Sequence, residues 1–328
     1  MAVYTEVPRA AAAALIARLD LGTLQSLEPC AGGIENTNYF CDTDAGRYVL
    51  TLFERLGAAE LPYYLHLMRH LAERGLPVPA PQADAAGAIL HTVCGKPAAV
   101  VERLPGSARL APDTAHCEAV ATTLARMHLA AQDYARTQPN PRGLAWWVQT
   151  APLIRPHLDT AQCALLDAEI AFQQQAAASG VARQLPQGAI HGDLFRDNVM
   201  FHATPQGDAL SGFFDFYFAG ADAWLFDVAV CLNDWCTDAA SGRLDEARAA
   251  AFVRAYAGVR PLDGAEARLM PAMLRGAALR FWLSRLADVH FPRDAHVLSA
   301  HDPAPFERVL RERVRTPWHP TEAAAAAP

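Results

Sequence analysis

The chain has 328 residues, enough for one large domain or two smaller ones, and 52% of them are hydrophobic, which supplies ample material for a core. A formal net charge of -7 argues against a general nucleic-acid binder, because such proteins concentrate positive charge against phosphates. Seven scattered cysteines without CxxC spacing argue against zinc, and the lack of a leader-like start or a long uncharged apolar run predicts a cytoplasmic protein with no membrane span.

In chain order, a helix is predicted around Ala10–Leu19, followed by three short strands between Leu24 and Phe53. The first break falls at Pro29-Cys30-Ala31-Gly32-Gly33, and the second at the turn Asp44-Ala45-Gly46. Leu61, Leu65, Met68 and Leu71 recur at helical spacing within 58–74, and Gly75 is a stop signal. After the irregular Leu76–Pro81, strands are predicted at Ile89–Val93 and Ala98–Leu104, joined by a turn at Cys94–Pro97. Pro105-Gly106 breaks the pattern and is the candidate hinge.

Beyond the hinge the chain reads as mainly helical, with helices predicted around Pro112–Gln132, Gln162–Ala178, Trp224–Trp235, Leu244–Tyr256 and Ala265–Val289. Two strand-like stretches, Val199–Phe201 and Gly212–Phe214, flank a turn at Pro205–Asp208. The run Ala323–Ala327 is low in complexity and is expected to fray. The expected class is α+β, with a mainly antiparallel-sheet lobe over residues 1–104, a mainly helical lobe over 105–318 and a disordered tail over 319–328.

The chemistry concentrates in His191-Gly192-Asp193-Leu194-Phe195-Arg196-Asp197-Asn198 and in Phe213-Phe214-Asp215-Phe216. A His-x-Asp, four residues, an Asn and a later Asp at the end of an apolar run have the layout of a kinase catalytic loop and metal-binding strand. Asp193 is placed to address an acceptor hydroxyl, while the neutral oxygen of Asn198 and the carboxylate of Asp215 suit magnesium, which takes oxygen ligands and completes its shell with water and phosphate. One such aspartate alone would be an ordinary loop residue; the ordered set is the signal. His191 reads as structural, packing beneath Asp215 and bonding to backbone, and Asp227 reads as a brace for the loop. Gly32-Gly33-Ile34-Glu35-Asn36-Thr37-Asn38, between two strands, could bring backbone N–H groups to a phosphate.

These motifs, with Leu124–His128, resemble the aminoglycoside phosphotransferase and choline kinase superfamily. More narrowly, Gly33–Tyr39, Tyr48–Glu54, Gly95–Ala99, Asp215–Phe218, Cys231–Cys236 and Leu279–Leu283 resemble the kinase-like bacterial homoserine kinases, over nearly the whole chain outside the alanine-rich tail. The resemblance implies a bilobal protein-kinase-like fold, ATP and Mg2+, and L-homoserine as a small-molecule partner whose side-chain hydroxyl is phosphorylated for threonine synthesis. It places Gly32, Gly33, Asn36, Val49 and Thr51 at the nucleotide and Asn198 and Asp215 at the metal. For the amino-acid acceptor, Arg280 suits the carboxylate because a guanidinium binds it bidentately, and Asp222 and Asp234 suit the ammonium group. Read as residues alone, Arg280 could equally make a helix-surface ion pair, and the two aspartates could cap helices or carry surface charge.

One position departs from the wider kinase pattern: Thr51 stands where a phosphate-binding lysine is usual, and Lys96, the only lysine, lies far along the chain. That keeps two other readings open, an inactive kinase-like nucleotide-binding protein and a kinase of choline, an aminoglycoside or another amino alcohol. A protein kinase is disfavoured, since no activation segment ending in Ala-Pro-Glu follows Asp215. Oligomeric state is left open.

Overall fold

The computed structural model describes residues 5–30, 36–291 and 301–320. The start of the chain at residues 1–4, Gly32 and Gly33 of the expected phosphate loop, and the alanine run lie outside these residues. The chain divides into two compact units, and the division falls between Pro105 and Gly106.

The first unit is built from α1 (Arg9–Arg18), β1 (Leu24–Pro29), β2 (Asn36–Thr43), β3 (Arg47–Phe53), α2 (Leu61–Glu73), β4 (His91–Val93) and β5 (Lys96–Glu102). Its five strands form an antiparallel sheet in the order β1-β2-β3-β5-β4. Alternation sets the two faces of that sheet. Tyr48, Leu50 and Leu52 of β3 and Ala98 and Val100 of β5 join Leu15 and Ile16 of α1 in one core cluster. Val49 and Thr51 have the opposite parity and so belong to the other face. Helix α2 buries Leu61, Leu65, Met68 and Leu71, the predicted stripe. It starts at Leu61 rather than Ala58 because Pro62, with its fixed φ, suits a first turn, and it stops before Gly75, whose φ is 77°.

The second unit contains α3 (Thr114–Ala130), α4 (Leu144–Ile154), α5 (Thr160–Ala178), β6 (Gln187–Ile190), β7 (Val199–Thr204), β8 (Gly207–Phe213), β9 (Gly220–Ala223), α6 (Trp224–Trp235), α7 (Glu246–Ala257), α8 (Gly264–His290) and α9 (Ala304–Arg315). Helices α3, α5 and α8 each begin with a reciprocal capping box, from Asp113 and His116, Asp159 and Gln162, and Asp263 and Glu266. Every residue of α6 is buried, which makes it the central helix of this unit. β6 pairs with β9, and β7 with β8, both antiparallel. Ser107, just past Pro105-Gly106, exchanges backbone hydrogen bonds with Phe201 at 2.9 and 3.0 Å. Gly106 has φ 90°, and a Cβ there would run into the Phe201 carbonyl, so this close approach requires glycine.

Among the described residues no helix is long and apolar enough to cross a membrane. Helices α4 and α9 and strands β6 and β9 lie outside the predicted elements. Pro152 inside α4 masks its helical pattern, α9 places Arg and Glu between its apolar residues, and β6 and β9 are four residues each.

Candidate active site

β6 ends at Ile190, and the chain turns through His191–Phe195 and a single 3-10 turn at Arg196–Asn198 into β7. Asp227, in the first turn of α6, fixes the start of this loop: its two carboxylate oxygens accept the backbone N–H groups of His191 and Gly192, each at 2.7 Å. A carboxylate in a first turn is also favoured by the helix dipole. Gly192 has φ 76°, and a Cβ there would lie 2.7 Å from the Phe218 carbonyl oxygen, so only glycine fits the turn.

His191 is fully buried and donates from Nε2 to the Phe214 carbonyl at 3.0 Å, while its Nδ1 accepts the Asp193 N–H at 3.3 Å. Burial holds its pKa below the usual histidine value, against the opposing pull of Asp227. The ring packs on Phe216 with centroids 4.4 Å apart. It therefore ties the catalytic loop to both sides of Asp215, the structural role expected of it.

Asn198 donates from Nδ2 to the Asp193 carbonyl at 2.8 Å, which spends the amide nitrogen on the loop and turns the side-chain oxygen the other way. Its own backbone carbonyl accepts the Phe214 N–H at 3.1 Å, bringing the loop and the end of β8 together one residue before Asp215. Asp215 has φ 64°, a left-handed conformation uncommon outside glycine, Asn and Asp. Next to it, burial first and the Asp215 charge second push the Tyr217 phenol far above its usual pKa. Asn198 and Asp215 thus offer one neutral and one anionic oxygen, the donor chemistry magnesium takes.

Asp193 Oδ1 lies 3.2 Å from Nη1 of Arg280, a residue of α8. Arg280 is buried rather than on a helix surface, and its guanidinium stands over the ring of Phe281 at 3.7 Å and near that of Phe218 at 5.0 Å. The structure therefore joins the residue expected to address the hydroxyl with the residue expected to bind the acceptor carboxylate.

The two aspartates expected at the ammonium group already hold protein partners. Asp234 Oδ2 accepts both the backbone N–H of Arg196 at 2.8 Å and its Nε at 3.1 Å, while Oδ1 accepts from Nη2 at 3.2 Å. Burial raises the pKa of Asp234, outweighing the pull of Arg196. Asp222 Oδ2 accepts from Asn140 Nδ2 at 2.8 Å, and Oδ1 from the Ala223 N–H at 2.7 Å. It pairs with Gly188 on β6, at the end of that ladder away from the catalytic loop. Arg196 was not among the expected site residues, although its place between Asp193 and Asn198 was the available signal.

On the first unit, Thr51 donates to Asn38 Oδ1 at 2.7 Å from the directly opposed position on β2. Asn36 opposes Phe53, and Val49 opposes Val101 on β5. Lys96 Nζ lies 3.1 Å from Glu54 Oε2. Lys96 shares the parity of Ala98 and Val100, the core-cluster face, so the lone lysine stands on the face opposite Thr51 and does not replace the missing cation there.

An antiparallel sheet unit and a helical unit whose loop sets an aspartate, an asparagine and a left-handed aspartate in kinase order define a kinase-like phosphotransferase. The chain belongs to the phosphotransferase enzyme family, whose model matches residues 26–262, and within it to the homoserine kinases. It is 59% identical over 318 residues to the homoserine kinase of Polaromonas naphthalenivorans (strain CJ2), covering 97% of this chain and 99% of that protein. It is 54% identical to the homoserine kinase of Ralstonia nicotianae (strain ATCC BAA-1114 / GMI1000), with 96% of each covered. Two solved structures share the fold at low identity. A putative aminoglycoside phosphotransferase from Ralstonia eutropha JMP134 is 18% identical with TM-score 0.67, covering 94% of this chain and 96% of that one. Amicoumacin kinase hAmiN, solved with AMP-PNP and Ca2+, is 19% identical with TM-score 0.65, covering 92% and 91%.

Proposed function

We propose that the protein transfers the γ-phosphoryl group of ATP to the side-chain hydroxyl of L-homoserine, giving O-phospho-L-homoserine for threonine biosynthesis. The observation that carries this reading is the 59% identity to a homoserine kinase over nearly the full length of both chains. Asp193 accepts the hydroxyl hydrogen bond and orients the oxygen towards the phosphoryl group, a positioning role suited to a loose transition state. Asn198 and Asp215 would hold Mg2+, which would supply positive charge against the phosphate oxygens. Arg280 offers its guanidinium to the homoserine carboxylate while its pair with Asp193 keeps both groups in register. Asp222 also serves Asn140 and Asp234 also serves Arg196, so an ammonium group would meet carboxylates that those partners already hold in place.

At the nucleotide we infer contacts from Asn36, the first residue of β2 rather than part of a loop between strands, and from Val49 and Thr51 on β3, with the neutral Thr51–Asn38 pair standing where a lysine is usual. That substitution alone favours a nucleotide-binding protein without turnover. The intact and internally anchored Asp193, Asn198 and Asp215 favour catalysis. ADP formation with Mg-ATP, compared across L-homoserine, choline, an aminoglycoside and no acceptor, tests the reading. Turnover that depends on homoserine supports it, preference for another acceptor replaces the substrate, and nucleotide binding without any turnover identifies the inactive protein.

A further inference from the structure

Behind the catalytic loop, the second unit carries a continuous chain of buried polar groups that the phosphoryl transfer itself does not use. Arg260, in the turn after α7, donates from Nη2 to Glu266 Oε1 at 2.7 Å and from Nη1 to the Tyr256 hydroxyl oxygen at 3.3 Å. The Tyr256 hydroxyl lies 2.7 Å from His128 Nδ1, and His128 Nε2 lies 3.2 Å from Asp227 Oδ2. Glu266, Tyr256, His128 and Asp227 are fully buried, and Arg260 nearly so. Trp224 stacks on His128, with ring planes 4° apart and centroids at 5.4 Å, and carries the Arg260 guanidinium on its ring at 4.8 Å.

The chemistry of the groups gives this chain a direction. A guanidinium can only donate, so the Tyr256 oxygen accepts from Arg260. The buried tyrosine proton then needs its own acceptor, and His128 Nδ1 is the atom within reach. With Nδ1 accepting, the ring proton sits on Nε2, where it donates to Asp227. A doubly protonated ring would donate at both nitrogens and strand the tyrosine proton in the core, which is costly. Burial independently lowers the pKa of His128, against the pull of Asp227.

We propose that Tyr256 and Arg260 are positioning residues for catalysis: they lock His128 as the neutral Nε2–H tautomer, which orients Asp227 so that it holds the His191 and Gly192 amides of the catalytic loop. Four elements of this unit thereby set one geometry, with His128 from α3, Asp227 from α6, Tyr256 from α7 and Glu266 from α8. The effect acts on the pose of Asp193 rather than on substrate binding. The inference rests on the phosphotransferase reading of the loop but not on the identity of the acceptor.

Nitrogen-15 NMR of the histidine rings in the wild-type protein at neutral pH tests the first half without any substrate. A protonated Nε2 and a bare Nδ1 on His128 are expected; an Nδ1–H tautomer or an imidazolium overturns the proposal. Tyr256→Phe tests the second half while keeping the buried ring. The loss of its hydrogen bonds should lower kcat about tenfold, with KM for both substrates within about twofold of wild type. Amide exchange should accelerate at His191 and Gly192 and stay unchanged in α5. Wild-type kcat, a rise of both KM values alongside the fall in kcat, or faster exchange throughout the protein would each overturn it. If homoserine proves not to be the acceptor, the NMR and exchange readouts still decide the proposal.

Discussion

Asp193 and Arg280 form an ion pair, Oδ1 to Nη1 at 3.2 Å, that links the catalytic loop to the middle of α8. The guanidinium of Arg280 also stands over the ring of Phe281, and the proposed role would have it meet the homoserine carboxylate as a rigid fork. Arg280→Ala should raise the homoserine KM by about ten- to a hundredfold, the loss expected for a charge-assisted contact, with the ATP KM changed far less. Arg280→Lys should recover only part of the loss, because an ammonium lacks the fork. Steady-state kinetics with each substrate varied in turn checks this, and equal changes in both KM values would make the arginine structural.

Asp215 combines a charged oxygen with a left-handed backbone that Asn also tolerates. Asp215→Asn should therefore fold with a wild-type melting temperature while the magnesium concentration needed for half-maximal nucleotide binding rises by at least about tenfold, as expected when a charged ligand is lost. Titration of nucleotide binding against magnesium measures the effect. An unchanged magnesium dependence would remove Asp215 from the metal site.

The parity of β3 and β5 separates Thr51 from Lys96. Thr51→Lys should place a cation at the position where a lysine is usual and lower the ATP KM several-fold, about 1 kcal/mol of added phosphate interaction. Lys96→Met should leave the ATP KM where it is and remove only the contact with Glu54. An ATP KM that responds to Lys96→Met and not to Thr51→Lys would reverse this assignment of faces.

Two fully buried histidines contribute a stability dependence on pH, beside the buried His91. Burial lowers the folded-state pKa of both His128 and His191 below the ordinary 6.5. Between the lowered value and 6.5 the unfolded chain binds protons that the native protein does not, so unfolding is favoured as pH falls. Their contribution is complete above the ordinary value and is lost below it, at up to about 1.4 kcal/mol per pH unit for each ring. Urea unfolding across pH 5.5 to 7.5 should show this slope, and His128→Asn should remove up to about half of the part that His128 and His191 supply. A slope identical in the variant would show that His128 does not titrate on unfolding.

Much of the architecture was legible because its signals are local. The three strands and their turn signals in 24–53, the stripe Leu61-Leu65-Met68-Leu71 and the Pro105-Gly106 break each correspond to an observed feature. The order His191, Asp193, Asn198, Asp215 likewise marked a candidate site in the sequence, and the structure brings these residues together through one loop and the β7–β8 hairpin that follows it. Apart from the Asp227 brace and the seat of His191 beside Asp215, long-range partnerships were not legible. Arg196 and Asp234 are 38 residues apart and His128 and Tyr256 are 128 apart, and nothing in either stretch of sequence announces its partner. Helix α9 was missed although Phe306, Val309 and Leu310 keep helical spacing, because the next position of that stripe carries a charge. Its Arg313 is buried, bonding Asn233, Thr237 and the Gly242 carbonyl, whereas an arginine in sequence reads as surface.

The most direct test compares initial rates of ADP formation from Mg-ATP, with and without L-homoserine, in the wild type and in Asp193→Asn. The account predicts homoserine-dependent turnover that falls at least about a hundredfold in the variant, the scale of a lost acid-base and positioning group, while ATP still binds. Turnover in Asp193→Asn equal to that of the wild type, or a wild-type rate indifferent to homoserine, would contradict it.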